Sequence, residues 1–173
     1  TGPGKLTINS LTRDGRANLY TKGNLILDNA NIDMNQGLAG SSNSGCNPIQ
    51  SEKNITIKGG KVDIFGFARA YNTFRYGIYA PSGDITIQDG AEVSVLGKFS
   101  GNNYGILHAK NITISESKVL LAHGHFINNG ETLKTSYADA IYFTESLNIQ
   151  YANGFVAKVD TSAAYTNYDV STD

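Results

Sequence analysis

Residues 83–97 read GDITIQDGAEVSVLG, and the phrase has two close copies, KNITIKGGKVDIFG at residues 53–66 and KNITISESKVLLAHG at residues 110–124. Each copy runs apolar-x-apolar, a polar or glycine turn, then apolar-x-apolar again. Ile55 and Ile57 are answered by Val62 and Ile64, and Ile85 and Ile87 by Val93 and Val95. A period of two marks a strand, and turns of about four residues are too short to hold a helix between the strands. The phrase predicts two short strands joined by a tight turn, written several times over.

Placed in register, the first apolar position falls at Leu25, Ile55, Ile85, Ile112 and Leu147, so the spacings are 30, 30, 27 and 35 residues. A second echo, YGIYA at 76–80, YGILHA at 104–109 and a degenerate ADAIYF at 138–143, supplies a third short strand per repeat. Between the last strand of one repeat and the first of the next lies a loop of about 7–14 residues. Strands this short cannot bury a face alone, but coiling three per turn and stacking the turns packs each inward residue against its copies above and below. The predicted fold is all-β, a right-handed parallel β-helix (solenoid) of five to six coils, standing about 25 Å tall at about 4.8 Å per coil. An antiparallel sandwich would call for hairpins and for strands of unlike sequence.

One domain is expected over 1–173: a partial coil or cap at 1–22, repeat coils over 23–160, and a polar tail or cap at 161–173. Asn24, Asn54, Asp84, Asn111 and Ser146 share one position before the second strand, where stacked amides form a ladder. Thr56, Thr86 and Thr113 form an outward column between buried isoleucines. Both columns read as architecture.

Fourteen Lys and Arg against fifteen Asp and Glu give a net charge of −1, which provides no general field for nucleic acid or an anionic membrane. Cys46 is the single cysteine, so an internal disulfide is excluded. No apolar run approaches the roughly 20 residues of a membrane span.

The pattern GI-x-A, then GDITI-x-x-G, then V-x-V-x-G resembles the repeats of bacterial surface proteins with a pectate lyase-like right-handed β-helix. It is especially similar to the carbohydrate-binding β-helix domains among them, over about residues 23–160. That resemblance implies a secreted or cell-surface bacterial protein that holds polysaccharide such as cellulose or pectin, in some members with calcium at acidic corners. Here the corners are Tyr76-Gly77 and Tyr104-Gly105, and only Asp139-Ala140 keeps an acid. Calcium needs about six to eight oxygen ligands, so no cofactor is expected.

A lyase would require gathered acidic residues and a basic side chain; Arg69 and Arg75 share a loop, but Asp63, Asp84 and Asp89 fall in separate repeat positions. His123 and His125, with His108, have spacing too unspecific for a metal site and read as exposed side chains. The N-I-T sequons at Asn54 and Asn111 arise from the repeat itself. Ten Tyr and seven Phe are the informative excess. They gather after the V-x-V strand, and loops at equivalent places in a solenoid emerge on one side. Arg69, Tyr71, Phe74, Arg75, Tyr76, Phe99, Tyr104 and Tyr137 are the candidate carbohydrate-binding residues, the rings packing on sugar faces. The alternative is that the loops fold over the wall and bury these rings as a satellite core. The expected function is non-catalytic polysaccharide binding. A structural stalk or adhesin that binds a surface protein is the second expectation, and a polysaccharide lyase the third.

Overall fold

The computed structural model describes residues 4–10, 17–36, 47–66, 76–97, 105–125, 139–150 and 156–164. In chain order the strands are β1 (Lys5–Ser10), β2 (Leu19–Thr21), β3 (Leu25–Asp28), β4 (Asn31–Gln36), β5 (Ile49–Ser51), β6 (Ile55–Lys58) and β7 (Lys61–Gly66). They continue as β8 (Ile78–Ala80), β9 (Ile85–Gln88), β10 (Glu92–Gly97), β11 (Gly105–Ser115), β12 (Lys118–His125), β13 (Asp139–Gln150) and β14 (Val156–Ala164). Each strand pairs in parallel with its copy one repeat away, which is the stacking of a parallel β-helix. One wall is the sheet β1-β4-β7-β10-β12-β14. The other sheet runs β2-β5-β8-β11-β9-β6-β3, with β13 added on β11.

That second sheet makes two walls joined at a corner, because β11 pairs with β8 through its first half and with β9 through its second. Only Lys110 and Asn111 separate Ala109 from Ile112, against four residues between Ala80 and Ile85, so the strand rounds the corner unbroken. The register shifts there, between Ala109 and Asn111.

Inward columns fill the interior. Ile55, Ile85 and Ile112 pair in register, as do Ile57, Ile87 and Ile114, Val62, Val93 and Val119, and Ile64, Val95 and Leu121; all are buried. Sealing each such side chain from water contributes about 1.5–3 kcal/mol. Thr56, Thr86 and Thr113 form the outward column between them, half-buried.

The polar ladder forms as the repeat requires. Asn54 N–H donates to Asn24 Oδ1 (3.3 Å) and Asp84 N–H to Asn54 Oδ1 (3.0 Å). Asn111 Nδ2 donates to Asp84 Oδ1 (2.8 Å) and Ser146 Oγ to Asn111 Oδ1 (2.7 Å). The Asn54 and Asp84 backbone N–H groups thus meet a side-chain acceptor from the layer beside them, and Asn111 and Ser146 continue the ladder through their side chains.

Toward the start of the chain Leu19–Thr21 pairs with Ile49–Ser51. Toward its other end β14 pairs with β12 and continues to Ala164.

Candidate functional site

Seven of the eight sequence-selected residues, Arg69, Tyr71, Phe74, Arg75, Phe99, Tyr104 and Tyr137, lie outside the described residues. Tyr76 is described, and it is 5% exposed. Its ring stacks on Tyr79 at a centroid distance of 3.9 Å and an interplanar angle of 4°. Tyr76 is therefore packed on the wall at the start of β8, with one face covered by a neighbouring ring.

That contact leads to residues the sequence reading did not select for binding, among them His108, which is half-buried rather than the exposed side chain expected. Strand alternation in β2, β5, β8, β11 and β13 turns one side chain outward per layer, and register aligns Tyr20, Gln50, Tyr79, His108 and Tyr142. The result is a column parallel to the solenoid axis. His108 stacks on Tyr142 at 4.6 Å and 29°, and meets Tyr79 (5.1 Å, 75°) and Tyr76 (4.8 Å, 79°) edge to face. These are the offset-stacked and T-shaped arrangements that ring quadrupoles favour. At the opposite end the Tyr20 hydroxyl donates to Glu52, and the carboxylate raises the phenol's pKa above its ordinary value.

His108 is half-buried, and its Nδ1 is sealed from water without a hydrogen-bond partner. Burial pushes its pKa below the usual histidine value, so the imidazole is neutral at neutral pH. Beside the column, Lys110 pairs with Glu145 at 2.8 Å, and Glu145 also accepts from Asn111 Nδ2 at 3.0 Å. These bonds hold the Glu145 carboxyl below its usual range and raise Lys110.

Among the described residues no three His, Cys, Asp or Glu side chains come together as a metal site. Asp63, Asp84 and Asp89 stay in separate turns and strands: Asp63 pairs with Lys61 at 2.7 Å, Asp84 sits in the polar ladder, and Asp89 accepts from Gln88. The side chains of His123 and His125 lie outside the described set.

A signal for the column was present in the echoes IYA, LHA and IYF, whose middle residues are Tyr79, His108 and Tyr142. It is hidden by the letters YGI, which align Ile78 with Ile106, whereas the backbone pairs Ile78 with Leu107. Compared with known protein families, with curated proteins and with solved structures, the chain matches none.

Proposed function

We propose that this β-helix is a non-catalytic polysaccharide-binding module of the bacterial cell exterior. The observation that carries the reading is the outward column of Tyr20, Gln50, Tyr79, His108 and Tyr142, repeated once per layer along the axis. A polymer of repeating sugars suits a surface that repeats at strand spacing, about 4.8 Å. Because Tyr76, Tyr79, His108 and Tyr142 cover one another's faces, they offer edges and polar atoms to a ligand more than open ring faces. The loop aromatics Tyr71, Phe74, Phe99, Tyr104 and Tyr137, with Arg69 and Arg75, follow the same layers in sequence and are proposed to extend this surface. The pattern's resemblance to carbohydrate-binding β-helix domains supports the same reading.

A second reading, an adhesin that binds a protein, is favoured by one observation: Phe143, Leu147 and Ile149 expose apolar surface at the end of the stack.

Retention on insoluble cellulose and pectin, together with a glycan array, tests the proposal. Tyr79→Ala and Tyr142→Ala in one chain, and Tyr71→Ala, Phe74→Ala and Phe99→Ala in another, are expected to lose retention while keeping a cooperative melt. Wild-type protein that binds no glycan overturns the polysaccharide reading and leaves the adhesin. Steady release of unsaturated product from pectate overturns the non-catalytic part.

A further inference from the structure

His108 sits at the meeting point of three layers, between Tyr79 of β8 and Tyr142 of β13, with Tyr76 against its edge. The groups that face it from these elements are three tyrosine rings. On its own strand the nearest charged residue, Lys110, is occupied by Glu145 of β13. Among the described residues no carboxylate meets the imidazole. The tautomer with its proton on Nε2 leaves a bare lone pair on buried Nδ1, and this is the form the site accommodates. Protonation would place a charged N–H there with no acceptor. The tyrosine faces compensate in part through cation–π attraction, but an exposed-site cation–π contact is weaker than the cost of a buried charged donor left unpaired.

We propose that the Tyr76–Tyr79–His108–Tyr142 cluster is a proton-operated latch: a neutral imidazole locks the rings into one column, and protonation drives it out into water and frees Tyr79 and Tyr142. The consequence for glycan binding rests on the polysaccharide reading; the latch itself does not. Where that reading holds, affinity falls in acid, because the column's outward atoms lose their fixed positions.

The pH window follows from linkage. The folded value lies below the ordinary 6.5, so the unfolded chain binds more protons in that interval. His108 therefore contributes stability that is complete above 6.5 and is lost as the pH falls from there through the folded value.

Proton NMR of the His108 ring, tyrosine fluorescence and binding to a cellulose oligosaccharide, each followed from about pH 8 to about pH 4, test this. The ring protons are expected to titrate below 6.5, with a fluorescence change at the same midpoint. His108→Gln, which is neutral throughout, is expected to abolish the fluorescence step while retaining the fold. A His108 value at or above 6.5, or a fluorescence step unchanged in His108→Gln, overturns the latch whatever the protein binds. A normal latch in a protein that retains no glycan overturns the polysaccharide reading and leaves the latch standing.

Discussion

Ile87 meets Ile57 on one side and Ile114 on the other, and water reaches none of them. Its neighbours along the axis are copies of itself, so a fault there is felt in three layers at once. Ile87→Asp puts an unpaired charge in the column and is expected to abolish the cooperative melt, whereas Ile87→Ala should cost about 2–5 kcal/mol in a chemical denaturation series. A wild-type melt for the aspartate variant would sink the stacking register. This column is legible from sequence because inward residues are under one constraint, apolarity, that repeats without exception from Ile57 to Ile114. The Tyr79–His108–Tyr142 column is not, because outward residues obey no such rule. Their alignment depends on a one-residue offset at Ile106 that only backbone pairing reveals.

At the scale of the element, the strands follow from alternation and the turns decide how they join. Asn29, Gly59, Asp89 and Glu116 occupy the turn between the second and third strands of successive layers, and all have positive φ (47°, 59°, 59° and 49°). Gly60 follows with φ 68°, and a side chain there would collide with the Ala30 backbone of the layer beside it. Gly60→Ala is therefore expected to destabilise by more than about 2 kcal/mol, by left-handed strain and by a clash with a backbone that cannot move aside. Glu116→Asn should raise stability by about 0.5–1 kcal/mol, since asparagine tolerates the left-handed region better and the exposed glutamate side chain has no partner to lose among the described residues. Thermal melts of the two variants moving in the same direction would refute this account of the turn. The repeat KGGK, QDG, SES discloses a turn in the sequence but not which residue has positive φ, because Glu116 is an unfavoured occupant held there by its neighbours. The continuity of β11 was equally hidden: ILHA and ITI read as two strands, and only the two-residue link makes them one.

For the whole molecule, stability is a sum along one axis, because each layer touches only the layers beside it. Among the described residues the central layers are sealed on both sides, while the outermost layers are not. Phe143, Leu147 and Ile149 are 42%, 37% and 40% exposed, although their register partners Ala109, Ile112 and Ile114 are 1% exposed or less. At the opposite end Leu6 is 50% exposed and its partner Ile32 is 3%. The same inward letter of the repeat thus has a different energetic weight according to its layer. Leu147→Ala is expected to cost about 1–2 kcal/mol and Ile112→Ala about 2–5 kcal/mol, as the former begins with much of its area already in water. Native-state hydrogen exchange should show the corresponding gradient. Amides of β6, β9 and the second half of β11 should open only with global unfolding, and those of β1 and β13 should open at a small fraction of that free energy. Exchange that is uniform from β1 to β13, with Leu147→Ala as costly as Ile112→Ala, would mean that the ends are covered and that the solenoid unfolds as one undivided unit.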